Sequence, residues 1–125
     1  MDRVFIVVGA LSGFLAVALG AFGAHALRAR LTSDMLDVFQ TGVTYQMYHA
    51  LALVGVGILL GRFSIDGSTW LTWSGWLFVA GTLLFSGSLY VLSLSGITWM
   101  GAITPLGGVS FLAAWLLLAV GILRA

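Results

Sequence analysis

Four apolar stretches, each long enough to cross a bilayer, leave this chain almost no way to fold in water. They run from about Val4 to Leu27, Val43 to Gly61, Trp70 to Leu94 and Pro105 to Leu123. A helix rising about 1.5 Å per residue needs about 20 residues to span roughly 30 Å of hydrocarbon. The only charges are five arginines and four aspartates among 125 residues, 7% of the chain, where a soluble domain carries roughly a quarter. Mean hydropathy is +1.13. The chain is expected to be all-α, a single transmembrane domain over residues 1–125 folded as an integral membrane four-helix bundle, with the lipid bilayer as its main partner. A net charge of +1 leaves no basic footprint for nucleic acid. The absence of cysteine removes disulfides and thiolate chemistry.

Local signals mark the ends of the spans. Thr104-Pro105 places a capping hydroxyl before a proline, which is well tolerated as a first helical residue. Residues 101–104 then form an apolar connector with Trp99 at the interface; a continuous helix kinked at Pro105 is the alternative. Ala24-His25-Ala26 also fits a signal-peptide cleavage pattern. The apolar run before it is too long for such a leader, and Arg3 beside Asp2 is a meagre basic start, so a retained helix is expected.

With four spans, both termini and the loop at residues 62–69 share one side, A, with Arg3, Arg62 and Arg124. The loop from Arg28 to about Gly42 and the connector at 95–104 share side B, with Arg28 and Arg30. Three arginines against two favour side A as cytoplasmic. Within the side B loop, Thr32 or Ser33 can cap residues 34–39. Asp34 and Asp37 then lie on one face and Met35, Leu36 and Phe39 on another, which predicts a short interfacial helix between spans one and two.

Helices in lipid pack through small residues and bridging hydroxyls. Span one aligns Gly9, Gly13, Ala16, Gly20 and Gly23 on one face, and its glycine-rich end is poorly suited to regular helix. His25 projects from the opposite side. Span three carries two seams, Thr72, Gly75, Val79, Thr82, Ser86 and Ser93 with Tyr90 nearby, and Ser74, Gly81, Ser88 and Ser95 on the other side. It is therefore expected to be contacted from both sides, either as the central helix or by self-association.

The candidate site is a polar cluster near side B: His25, Tyr45, Gln46, His49, Ser86, Tyr90 and Ser93. On span two, Gly42, Gln46, His49 and Leu53 share a narrow arc. A short loop would bring His25 and His49 into one leaflet, able to face each other. Imidazole can move protons or bind a metal or haem iron, and intramembrane ionisable groups are functional hypotheses by default. Two histidines without a third ligand make an incomplete zinc site, so no metal and no cofactor is expected. No GxSxG or HExxH motif and no paired intramembrane carboxylates occur, and no catalytic residue is assigned; Asp34 or Asp37 folding back toward His49 is the one carboxylate–histidine pairing open to the chain.

Three segments, GAFGAHALRARL (Gly20–Leu31), FQTGVTYQMYHALAL (Phe39–Leu53) and LFSGSLYVLSLSGITWMGAITPLGG (Leu84–Gly108), together resemble the small bacterial inner-membrane proteins grouped as domain of unknown function family 423. The resemblance implies four transmembrane helices, an inner (plasma) membrane location and no established activity, and it supplies no catalytic residues to carry over. The expected role is a non-enzymatic structural or interaction component that self-associates or supports a membrane-protein partner. The alternative is a small transport, channel or ligand-binding protein that uses the polar cluster.

Overall fold

The computed structural model describes residues 1–63 and 65–125. Ser64 and the side chain of Asp66, in the expected side A loop, lie outside the described residues. Among the described residues, four helices are long and apolar enough to cross a membrane. The first span is composite: α1 (Asp2–Ala18), a π turn (Leu19–Gly23) and α2 (Ala24–Leu27). The π turn is closed by the Ala24 N–H donating to the Leu19 carbonyl, five residues back. The glycine-rich end thus departs from regular helix as expected. Its missing side chains let α3 come close: a Cβ on Gly20 would lie 3.0 Å from Val43, and one on Gly23 3.3 Å from Phe39.

Two features of the second span differ from expectation. The side B loop is only residues 28–32, and α3 runs unbroken over Ser33–Arg62. Thr32 is the N-cap, its hydroxyl accepting from the Met35 N–H at 3.2 Å. The expected separate interfacial helix is instead the start of α3. No proline interrupts residues 34–43, and Phe39 is buried between the end of the first span and the Tyr90 ring, 5.3 Å away. Of the expected apolar face, Phe39 is thus inside the bundle and Met35 and Leu36 are half-buried.

The third span, α4 (Ile65–Ser95), ends at Gly96, whose φ of 74° is the left-handed conformation that glycine adopts without strain. The Gly96 N–H closes the helix on the Leu92 carbonyl at 2.9 Å. A 3-10 turn (Thr98–Ala102) carries exposed Trp99, and α5 (Thr104–Arg124) follows with Pro105 in its first turn. Thr104 does not cap this helix. Its hydroxyl is drawn into a 2.6 Å hydrogen bond with Ser88, which joins the start of α5 to α4.

The helices pack in chain order: the first span on α3, α3 on α4, and α4 on α5. In the most apolar windows 39% of the α3 span and 33% of the α4 span are buried, against 17% of the first and 22% of the last. This makes α3 and α4 the inner pair. The seams of α4 explain its central place. On one face Ser86 donates to the Gly42 carbonyl of α3 and Gly75 leaves room for the Phe5 ring. On the other, Ser74 donates to the Ala114 carbonyl of α5 and Gly81 receives Phe111. Phe5, Leu53, Val56, Leu71, Phe78, Phe111 and Ala114 form the core between these contacts. At side A the Arg124 guanidinium lies 5.4 Å from the Trp70 ring centre, fastening the end of α5 to α4.

The α4–α5 approach predicts a sharp contrast between adjacent glycines. A Cβ on Gly107 would lie 2.4 Å from the backbone nitrogen of Phe85, whereas one on Gly108 meets nothing within 4 Å. Gly107→Ala should lower stability by about 1–3 kcal/mol. Gly108→Ala should be neutral or slightly stabilising through helix propensity. Thermal unfolding in detergent checks both; equal behaviour of the two variants would contradict this approach.

Candidate functional site

Gln46 links three helices. Its Nε2 donates to the Ser12 carbonyl of α1 at 2.9 Å, and its Oε1 accepts from the Tyr90 hydroxyl of α4 at 2.5 Å. One turn back along α3, the Gly42 carbonyl accepts from Ser86 at 2.6 Å. A carbonyl that already serves its own helix takes this second donor through its remaining lone pair. Ser93 donates to the carbonyl of Tyr90 at 3.2 Å and holds its own helix. Gln46, Ser86 and Tyr90 thus meet at one α3–α4 interface, while Ser93 bonds within α4.

His49 faces the other way, toward α5. Its Nδ1 donates to the Tyr45 carbonyl at 2.7 Å, and its Nε2 accepts from the Trp115 indole N–H at 3.2 Å. The carbonyl can only accept and the indole can only donate, so these partners define a neutral ring with its proton on Nδ1. One ring face lies on Phe111, centroids 3.5 Å apart and planes 5° from parallel. Both nitrogens are occupied. A metal or haem iron would have to displace Trp115 to reach Nε2. Tyr45, half-exposed, covers the same corner with its ring 4.5 Å from Phe85.

The two histidines do not meet. His25 is exposed near the side B end of the first span, where its backbone carbonyl accepts from the Arg28 N–H at 3.4 Å. The register of the glycine face shows why. Gly23 is level with Phe39, while Gly13 is level with Ala50. His25 therefore stands roughly 18 Å above the level of His49, at 1.5 Å for each of twelve residues. Counting span two from Val43 places His49 nearer the end of its helix than it is, because α3 starts at Ser33. With α3 starting at Ser33, His49 lies near the middle of that helix, level with Gly13, Gly81 and Phe111. The same geometry rules out the carboxylate–histidine pairing, because Asp37 is twelve residues, roughly 18 Å, from His49 along one helix. Among the described residues, no three His, Cys, Asp or Glu side chains converge.

Trp115 and Phe111, the partners of His49 on α5, were missed at the sequence level. The available signal was position: Trp115 lies mid-span and not in the interfacial belts where tryptophan usually collects. An indole N–H in hydrocarbon needs an acceptor.

Two hollows flank the inner helix pair. A groove of about 360 Å³ lies between α1, α3 and α4, with Gln46, Thr82, Ser86 and Tyr90 among its lining residues and Leu11, Leu15 and Leu83 along its walls. A second, of about 460 Å³, lies between α3, α4 and α5 against Tyr45, Phe85, Pro105, Gly108 and Trp115. His49 borders both.

Fold and polar interior together define a small four-span membrane protein whose buried polar groups join helices. The chain belongs to the family described as "Protein of unknown function (DUF423)", matched over residues 19–108. A UPF0382 membrane protein of Staphylococcus saprophyticus subsp. saprophyticus is 48% identical over 71 residues, 57% of this chain and 58% of that protein. UPF0382 membrane proteins of Staphylococcus aureus strains USA300 and bovine RF122 are 45% and 44% identical over 71 residues, 57% of either chain in each case. The matched segment thus spans less than three fifths of the length of these curated relatives. No solved structure matches.

If Gln46 clamps α1 to α4, its bond to Tyr90 should appear as a coupling. Tyr90→Phe and Gln46→Leu should each destabilise the bundle, and the double variant should cost less than their sum. The expected coupling is about 0.6–1.7 kcal/mol, the range for interhelical bonds in lipid. Reversible unfolding in mixed micelles measures it, and strict additivity would contradict the clamp.

Proposed function

We propose that this protein acts by interaction and not by catalysis, as a self-associating structural component of the bacterial inner (plasma) membrane. One observation carries the reading: among the described residues, no buried side-chain nitrogen or oxygen is without a hydrogen-bond partner. Each buried polar group is used by the bundle itself. A catalytic base or nucleophile needs an unspent lone pair aimed at a reacting atom, and His49, the natural candidate, has neither nitrogen free. Self-association draws support from the exposed apolar faces of the outer helices, with Phe14 and Phe22 on the first span and Leu112 and Leu116 on α5.

A second reading, a ligand-binding protein, is favoured by the groove beside Gln46 and Tyr90. The two readings separate on one set of variants. Under the interaction reading, His49→Ala and Gln46→Ala should lower stability by about 1–2 kcal/mol. They should also reduce the oligomer seen by cross-linking in native membranes as strongly as Ser88→Leu, which disturbs the α4–α5 seam. If fold and oligomer persist while binding of a lipid, ion or small molecule is lost, the ligand reading replaces it. A monomer at every protein-to-lipid ratio would remove self-association.

A further inference from the structure

The groove between α1 and α4 is a wedge. At its side A end Phe5 of α1 fills the space over Gly75 and meets the edge of Trp76, centroids 5.1 Å apart. Toward side B the helices diverge, and a Cβ on Gly87 would meet nothing within 4 Å. Leu11, Leu15 and Leu83, along the walls, are more than half exposed, which at this depth means exposed to the bilayer.

We propose that this wedge seats one acyl chain of a side B-leaflet phospholipid. The inference rests on the ligand-binding reading and names its ligand. Three observations select the occupant. The walls are aliphatic, so a hydrocarbon fits them. The groove follows α4 from Val79 to Tyr90, roughly 16 Å at 1.5 Å per residue, which matches the half-thickness of roughly 15 Å belonging to one leaflet. Leu11, Leu15 and Leu83 are open to the bilayer, so a lipid chain reaches the groove directly from the surrounding membrane. A chain entering from side B is stopped short of side A by Phe5, which fills the space over Gly75. Its phosphate end then lies toward the end of the bundle that carries exposed Arg28 and Arg30, which suits an anionic headgroup. Tyr90 borders the wider end, with its hydroxyl turned to Gln46.

The test uses the intact protein in nanodiscs containing phosphatidylglycerol with a diazirine in one acyl chain. After photolysis, adducts are mapped by peptide mass spectrometry. They should concentrate on Leu11, Leu15 and Leu83 over the outer α5 positions Leu112 and Leu116. Gly87→Phe, projecting into the wedge, should cut wedge labelling roughly tenfold, the factor given by about 1.4 kcal/mol of lost affinity, and leave α5 labelling unchanged. Leu83→Trp should act in the same way, and Gly87→Ala should retain labelling. Even labelling of both surfaces, indifferent to Gly87→Phe and Leu83→Trp, overturns the proposal. A parallel measurement follows the fluorescence of a neutral apolar dye. If the two variants abolish dye binding but not lipid labelling, the acyl-chain assignment falls and the ligand reading stands. If neither probe responds, both fall.

Discussion

In hydrocarbon, helices gain little from hiding apolar side chains from equally apolar lipid, so association depends on how closely backbones approach. Here that constraint falls on α4, which has a neighbour on each side. Gly81 and Ser74 admit Phe111 and the Ala114 backbone from α5, while Gly75 and Ser86 admit Phe5 of α1 and the Gly42 backbone of α3. A larger residue in either series would push one neighbour away. The serines serve twice, since each is small enough for the approach and carries a hydroxyl that bonds the facing carbonyl. The order of the bundle, with α3 and α4 inside, follows from this one helix having two faces that can be approached.

The polar interior follows from the same geometry. Once α3 lies between α1 and α4, Gln46 is in reach of both and its amide satisfies a donor and an acceptor at once. His49, one turn deeper, is turned to α5 and closed by Trp115 and Phe111. A histidine near the middle of a membrane-spanning helix would be costly with either nitrogen unpaired. The indole and the Tyr45 carbonyl remove that cost by fixing a neutral tautomer. The residue that looks most like a ligand is thereby the one most thoroughly used in joining α3 to α5.

What was legible in the sequence was whatever depends on local pattern. Hydropathy located the four spans, steps of three and four located one seam of α4 and a seven-residue recurrence the other, and Gly20 and Gly23 marked the place where helix gives way to a π turn. The arc of Gly42, Gln46, His49 and Leu53 is buried as its angles required. Depth and partnership were not legible. Hydropathy began the second span at Val43 because Ser33, Asp34 and Asp37 are polar, yet Phe39 on the same turns is buried beneath the first span. That offset moved His49 by several turns and created an apparent partner in His25. Its true partner, Trp115, lies 66 residues away, a separation no local period can register. Thr104 was misjudged for a related reason: a cap is a local expectation, and Ser88 on another helix outcompeted it.

Tyr90 connects the closed interior with the open flank. On most of α4 the small seam residues draw a neighbour in, but at the side B end α1 and α4 are too far apart for small residues to bridge. A long side chain crosses part of that gap: the Tyr90 ring packs against Phe39 and over Gly42 while its hydroxyl reaches Gln46. It covers the polar floor from within and leaves the space over Gly87 unfilled. Further small residues would have closed the wedge, and without the tyrosine the amide of Gln46 would face lipid. Its size and single hydroxyl thus allow a polar clamp and a hydrocarbon-lined groove to occupy the same few turns of helix.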